Sequence, residues 1–179
     1  MPRITFSTVF GRCALAWEDA GVTGFQLPEA EVRADDAGEA PDGIAALADR
    51  VQRHLAGEWQ DFSDVRYDFD RVTAFQRRVY RAALAVKAGH TYTYGELAAA
   101  LELEPGASRV VGHALGANPW PLLVPCHRFV GAGGKMTGFS APGGVRTKVR
   151  LLTLEGAQLL AEQGPPPLRA TVRPGKDAR

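Results

Sequence analysis

The spacing of apolar residues changes near Asp70, and this change restricts the folds open to the chain. Before it, three short stretches, "RITFSTVF", "RCALAW" and "GVTGFQL", have strand character and are separated by Gly and Asp, which predicts an antiparallel meander. Apolar residues from Ile44 to Leu55 then recur at helical spacing and stop before Gly57, so we expect a helix to cover the sheet. The alternating stretch "VRYDF" predicts one more strand.

Beyond that point the pattern is helical. Thr73 with Gln76 and Thr93 with Glu96 have capping-box spacing and open two helices, the first with an apolar stripe that runs to Gly89. A Pro-Gly turn leads into a third helix, "ASRVVGHALGA", which a proline ends. Two short helices joined by a tight turn predict a helix-turn-helix.

These patterns predict an α+β fold with two domains. Residues 1–70 would form a small N-terminal antiparallel sheet with a helix. Residues 71–160 would form a mainly helical C-terminal domain with the helix-turn-helix, winged-helix-like in character. Residues 161–179 are rich in proline and charge and are predicted to be a disordered tail.

Composition indicates a globular protein outside the membrane. Hydrophobic residues make up 45% of the chain, but no run is long enough to span a bilayer, and the N-terminus lacks the apolar core of a signal peptide. We therefore expect a cytoplasmic protein with no membrane partner. The two cysteines, Cys13 and Cys126, belong to no CxxC or Cys/His cluster, so no metal site, cofactor or disulfide is expected.

The net charge of +1 conceals a division along the chain. Residues 1–70 hold 6 Lys and Arg against 14 Asp and Glu, whereas residues 71–156 hold 11 against 4. A basic half joined to an acidic one suggests that one part binds a polyanion. Two solvated surfaces of different charge explain the same counts equally well.

The third helix has an unusual face. Its core side is expected to hold Val110, Val111, Ala114 and Leu115, and its opposite side to hold Arg109, Gly112, His113 and Gly116. Each exposed glycine costs about 1 kcal/mol of helix stability relative to alanine, so two on one side require a reason. Either another helix of this protein packs on them, or the backbone approaches a narrow groove such as the DNA minor groove, about 6 Å wide.

Cys126 follows a stiff segment. Prolines at positions 119, 121 and 125 restrict the backbone of "GANPWPLLVPCHRFVG". A rigid backbone suits a nucleophile that must be held in a fixed orientation. A thiol of ordinary pKa, about 8.5, is mostly protonated at neutral pH and needs a base. His127 is the nearest one in sequence, although for an isolated Cys-His pair a purely structural role is the more common explanation.

A basic helix, "VRTKVRLLTLEG", follows a glycine-rich loop. We expect Val145, Val149 and Leu152 to face inward. Glu155 falls in the last turn, where the helix dipole disfavours a carboxylate. Its presence there suggests a partner such as a histidine, and solvation at the surface is the alternative.

Five motifs now stand in order over residues 73–156: "TYGELA", "SRVVGHALGANP", "VPCHRFVG", "GFS" and "LLTLEG". Together they closely resemble the methylated-DNA–protein-cysteine methyltransferases, the O6-alkylguanine-DNA alkyltransferase family. The first seventy residues match the family only loosely. The chain also departs from the family pattern at Phe139, where a tyrosine is frequent, and in a following loop that is two residues longer.

The resemblance implies a single-turnover DNA repair protein. Cys126 would take the alkyl group from O6 of a damaged guanine, and O4-alkylthymine is a further candidate substrate. His127 would draw the thiol proton through a water molecule, and Glu155 would hold the imidazole. Tyr94 would protonate the guanine as it leaves, and the thioether formed on the protein would not be reversed.

The resemblance also implies that the base leaves the DNA stack, because the thiol cannot reach O6 inside a duplex. Arg109 would fill the gap, and the protein would bind double-stranded DNA as a monomer through the minor groove. The residues implied to contact DNA are Ser108, Arg109, Gly112, His113, Gly116 and Arg128. Those implied to form the substrate pocket are Asn118, Pro121, Phe129, Phe139, Ser140 and Lys148.

Three other functions compete with this one. A relative that recognises alkylated bases without repairing them would lack the reactive cysteine. A hydrolase built on Cys126, His127 and Glu155 would need an oxyanion hole and would leave the Arg109 helix unexplained. A transcription regulator would carry base-reading polar side chains, where this third helix carries glycines.

Overall fold

The computed structural model describes residues 1–28, 39–157 and 168, and a three-stranded sheet opens the chain. Strands β1 (Arg3–Thr8), β2 (Gly11–Glu18) and β3 (Gly21–Gln26) pair antiparallel in the order β1-β2-β3. Five consecutive residues of β2 are buried, so this central strand is covered on both faces. The predicted meander is confirmed.

Helix α1 (Asp42–Leu55) covers the sheet, as expected, with its buried face ending at His54 and Leu55. The fourth strand predicted at "VRYDF" is wrong. Tyr67 makes only a single bridge to Val22, and the chain then enters a 3₁₀ turn at Phe69–Arg71. The turn withdraws the following backbone groups from the sheet edge, so no ladder can form.

Four more helices follow: α2 (Ala74–Ala83), α3 (Tyr94–Ala100), α4 (Ser108–Gly116) and α5 (Gly144–Leu154). Both predicted capping boxes form, with the Thr73 and Thr93 hydroxyls each accepting a backbone N–H at 3.1 Å. Helix α2 ends before Gly89, contrary to expectation, because i to i+3 hydrogen bonds tighten the chain after Ala83. Val86 belongs to the predicted apolar stripe and is buried, but it lies beyond the end of the helix.

The expected helix faces need two corrections. Val110 was placed in the core and is 55% exposed, whereas its neighbour Val111 is fully buried. In α5 the buried residues are Thr147, Lys148, Leu151 and Leu152, so Val145, 39% exposed, lies off the inward face. The α5 helix is therefore rotated from the expected phase, with the fully buried side chain of Lys148 on its inward face.

A small parallel sheet brings the sequence motifs together. Strand β4 (Tyr92–Thr93) leads directly into α3, and β5 (Phe129–Val130) follows a 3₁₀ turn at Cys126–Arg128. Tyr92 pairs with Phe129, and Thr93 with Val130. This pairing places the first turn of α3 beside the cysteine.

One continuous hydrophobic cluster connects the sheet with the helices. At its centre the fully buried indole of Trp120 donates a 2.8 Å hydrogen bond to the Val22 carbonyl of β3 and meets the Tyr80 ring of α2 edge-on. The division near residue 70 stays a prediction. The predicted tail at 161–179, apart from residue 168, lies outside the described residues. None of the helices in the described part of the chain is both long and apolar enough to cross a membrane.

Candidate active site

The side chain of Asn118 holds the backbone of the segment before Cys126 by hydrogen bonds. The Asn118 amide accepts from the Trp120 N–H and donates to the Val124 carbonyl, both at 2.9 Å. Leu122, fully buried, has a positive φ of 78°, a conformation that costs a non-glycine residue energy and persists only where its surroundings impose it. The stiffness that the prolines predict is therefore reinforced by the Asn118 side chain and by the imposed conformation of Leu122.

The Cys126 thiol is 7% exposed. Burial raises its pKa, while a hydrogen bond with the Asn118 side chain and the charge of Lys148 act in the opposite direction. The thiol is therefore protonated at neutral pH, and any reaction through sulfur needs a base close by.

His127 and Glu155 form the pair that the sequence suggested. The His127 Nε2 lies 2.9 Å from Glu155 Oε1, and both side chains are fully buried. Burial lowers the pKa of His127, although the Glu155 carboxylate opposes this. Nε2–H of the neutral ring therefore donates to the carboxylate, and Nδ1, which is buried and has no hydrogen-bond partner among the described residues, carries a free lone pair.

Arg128 does not lie on a DNA-facing surface. It is 6% exposed and donates twice to Glu155, at 2.8 and 2.9 Å, and once to the Val86 carbonyl at 2.6 Å. The expectation that it binds DNA is corrected, because the buried Glu155 carboxylate holds its guanidinium inside the protein.

Glu155 has one further partner that sequence reasoning missed. His54, on the buried face of α1, places Nε2 3.0 Å from Glu155 Oε1. Burial alone would raise the pKa of Glu155, but His127, His54 and Arg128 together hold it far below its usual range. The carboxylate is therefore ionised, and its suspected histidine partner is in fact two histidines and an arginine.

Tyr94 begins α3 and faces the buried amine of Lys148. The Lys148 Nζ donates to the Tyr94 hydroxyl at 3.4 Å and to the Thr137 carbonyl at 3.2 Å. A Cβ added at Gly112 of α4 would lie 3.7 Å from the Tyr94 ring, so α3 and α4 are in close contact here. The ammonium next to the hydroxyl would stabilise negative charge on that oxygen.

A cavity of about 860 Å³ opens beside this group, between α3, α4 and the loop before α5. Five of the residues expected at the DNA line it: Ser108, Arg109, Gly112, His113 and Gly116. Phe139 and Ser140 line its other side. A Cβ on Gly116 would meet nothing within 4 Å. None of the described residues therefore packs on Gly116, whereas Gly112 contacts the Tyr94 ring of α3. The intramolecular explanation is removed for Gly116 alone.

A second, narrow space of about 30 Å³ reaches the thiol. It adds Leu115 and Cys126 to six residues that it shares with the larger cavity: Tyr94, Gly112, Gly116, Gly138, Phe139 and Ser140. A space of this size holds about one water molecule. The sulfur therefore borders a narrow extension of the large cavity.

The pocket roles expected of Asn118, Pro121 and Phe129 stay predictions. Phe129 is fully buried in β5, Asn118 supports the backbone before the thiol, and Pro121 lines a different cavity, beside Thr23 of β3. Asn118 and Pro121 share that second cavity with Ser140. Within the described ranges, no group of three or more His, Cys, Asp or Glu side chains could hold a metal ion.

Comparisons with known proteins agree with this arrangement. Residues 74–157 match the family model described as the DNA-binding domain of 6-O-methylguanine DNA methyltransferase. A methylated-DNA–protein-cysteine methyltransferase of Mycobacterium tuberculosis is 37% identical over 160 residues, which cover 88% of this chain and 94% of the relative. One of Methanothermobacter thermautotrophicus is 37% identical over 145 residues, covering 81% and 80%.

Solved structures give the same result. The crystal structure of M. tuberculosis OGT in complex with DNA superposes with a TM-score of 0.71 at 37% identity, over 88% of this chain and 95% of that one. The O6-methylguanine-DNA methyltransferase of Pyrococcus kodakaraensis superposes with a TM-score of 0.66 at 26% identity, over 87% and 98%. This similarity, sustained over most of both chains, shows that the protein belongs to the methylated-DNA–protein-cysteine methyltransferase family.

Proposed function

We propose that this protein repairs DNA by moving an alkyl group from O6 of guanine to the sulfur of Cys126, once per molecule. Membership in the family supports the alkyl transfer to cysteine. One observation carries the choice of residue: the Cys126 thiol borders a narrow space off the large cavity, and the residue after it is a neutral histidine bound to a buried carboxylate.

The proton path follows from the tautomer of His127. Its Nδ1 takes the thiol proton through one water molecule, and the Glu155 carboxylate stabilises the imidazolium that results. The sulfur then attacks the alkyl carbon in line. The new carbon–sulfur bond forms as the carbon–O6 bond breaks, and the electron pair of the broken bond goes to the guanine.

The leaving guanine needs a proton in return. The Tyr94 hydroxyl supplies it, and the Lys148 ammonium, 3.4 Å away, stabilises the tyrosinate while it lasts. Tyr94 borders the space through which the base would enter, and Lys148 contacts its hydroxyl, which supports this assignment. The thioether on Cys126 has no leaving group comparable to guanine, so each molecule reacts once.

DNA would bind along the α4 face that lines the large cavity. Gly112 and Gly116 let the helix backbone approach the minor groove closely, and Arg109 occupies the gap left by the extruded nucleotide. The basic character of residues 71–156 supplies affinity without sequence preference.

The location and assembly state belong to the same proposal. Both cysteines are free thiols, which fits a reducing cytoplasm. The groups assigned to chemistry and to DNA all come from one chain, which fits a monomer.

The test is incubation with duplex DNA that carries O6-methylguanine, followed by mass spectrometry of tryptic peptides. One methyl group is expected on the Cys126 peptide, with a burst of one equivalent and no turnover. Cys13 is an internal control, because burial raises its pKa to about 11 and it should stay unmodified. An unmodified Cys126 in folded, reduced protein would overturn the proposal.

A variant tests base extrusion separately. Arg109→Ala should slow repair in duplex DNA far more than reaction with the free O6-alkylguanine base, because only the duplex requires the gap to be filled. Equal losses on the two substrates would contradict the role assigned to Arg109.

A further inference from the structure

His54 lies in the first half of the chain, where the sequence offers no chemistry, yet its ring is buried at the centre of the candidate active site. Three donors converge on Glu155 Oε1: His54 Nε2 at 3.0 Å, His127 Nε2 at 2.9 Å and Arg128 Nη2 at 2.8 Å. The other oxygen, Oε2, accepts from Arg128 Nε at 2.9 Å. The orientation of the carboxylate is therefore set by groups on both sides of the fold.

The tautomer of His54 is fixed by the backbone. The N–H of Gln60 donates to His54 Nδ1 at 2.9 Å, so Nδ1 is an acceptor and the proton of the neutral ring is on Nε2. The ring also packs against Phe62, with centroids 5.4 Å apart. The Gln60 backbone therefore holds the ring so that Nε2–H is the donor that faces Glu155.

We propose that His54 is a positioning residue for the Glu155–His127 pair: it fixes Oε1 of the carboxylate and so keeps His127 in the tautomer that leaves Nδ1 free to accept a proton. This inference rests on the proposed function. It assigns to α1, in the N-terminal half, a direct part in preparing the base that activates Cys126.

The same geometry predicts how the base changes without His54. The charged and titratable groups that influence His127 are Glu155, Arg128 and His54. Without the His54 N–H, the Glu155 carboxylate interacts more strongly with the His127 ring and is free to rotate. The imidazolium becomes more stable, so the neutral base persists over a narrower range of pH.

Three variants separate this role from simple packing. His54→Phe keeps a ring beside Phe62 and removes the donor, whereas His54→Gln keeps an N–H at the position of Nε2. Trp59→Phe is the matched control, because the Trp59 indole donates to the Leu154 carbonyl at 3.1 Å across the same interface and does not touch the carboxylate.

The measurements are single-turnover methyl transfer from duplex O6-methylguanine between pH 5 and 9, and alkylation of Cys126 by iodoacetamide over the same range. His54→Phe should slow transfer at pH 7 by about tenfold or more, in line with the loss of groups that orient a catalytic ligand, and should move the acid limb of both profiles to higher pH. In His54→Gln the acid limb of both pH profiles should return to its wild-type position, and in Trp59→Phe it should not move.

The proposal is overturned if folded His54→Phe has the wild-type rate and limb, or if Trp59→Phe reproduces its change. Long-range ¹H–¹⁵N spectra of the wild-type protein at pH 7 test the same point without any variant. Protons on Nε2 of both His54 and His127 are expected, and a proton on His127 Nδ1 would overturn the proposal. If wild-type protein takes no methyl group from DNA, the proposed function fails, but the iodoacetamide profiles and the spectra still decide the role of His54.

Discussion

The buried Arg128–Glu155 pair provides the sharpest stability test. Arg128→Met keeps the aliphatic volume but leaves Glu155 ionised, fully buried and without its cation, and it leaves the Val86 carbonyl without its donor. Removing one partner of a buried ion pair costs about 3–5 kcal/mol. Each kcal/mol shifts the thermal midpoint of a protein of this size by about 2–4 °C, so we expect a fall of roughly 6–20 °C.

A double variant isolates the cause. Arg128→Met combined with Glu155→Gln removes the uncompensated charge and leaves an amide that His54 and His127 can still hydrogen-bond. Much of the lost stability should return, since the penalty comes from the lone buried charge and not from the missing side chain. Urea unfolding of the two single variants and the double variant gives the coupling energy directly.

The result that refutes this reasoning is the one expected for an arginine on a DNA surface. Arg128→Met would then lose less than about 1 kcal/mol of stability while its affinity for undamaged duplex DNA fell in a salt-dependent way. The same protein preparations serve both measurements, so the two locations of Arg128 are distinguished in one experiment.

Three further outcomes are expected. Tyr94→Phe keeps the ring beside Gly112 and loses only the hydroxyl, so single-turnover methyl transfer should slow by about 10²-fold or more with little change in thermal midpoint. Burial lowers the pKa of His127 from its ordinary 6.5, and protonation of this ring removes the base. The wild-type rate of methyl transfer should therefore stay level through pH 7 and fall only below pH 6.5. A rate that begins to fall above that pH would contradict the assignment of His127 as the base. Val110→Glu, on the exposed side of α4, should weaken duplex binding without unfolding the protein, whereas Val9→Glu, on an exposed turn, should not; equal effects would argue against α4 as the DNA-facing helix.

Most of the secondary structure could be predicted from the sequence, because helix caps and helix-ending prolines depend on neighbouring residues alone. The capping boxes at Thr73 and Thr93 and the proline after α4 act within a few residues of the chain. The phase of a helix is harder to predict. Val110 and Val145 are apolar residues on short helices, and the packing of neighbouring elements decided which apolar residues stayed exposed.

The candidate site was predicted only in part, for a related reason. Glu155 was singled out because a carboxylate is out of place at a helix end, and that argument indicated a histidine. Arg128 was misplaced because a basic residue in a basic half gives no sign of being buried. His54 gave no signal at all, since it lies 101 positions from Glu155 and a histidine on the apolar face of a helix is most often a core residue.

The two cysteines show what distinguishes a reactive thiol in this fold. Both are buried, and burial raises the pKa of each. Among the residues that the structure describes, the Cys13 thiol has the Thr8 hydroxyl at 3.9 Å, whereas Cys126 has the Asn118 amide, the Lys148 charge and a neighbouring histidine whose Nδ1 has no hydrogen-bond partner. The reactivity that we propose for Cys126 would therefore come from its polar surroundings and its access to the cavity, not from a standing population of thiolate. A thiol held in this protonated state reacts slowly with alkylating agents in solution and is preserved for the substrate that brings its carbon into line.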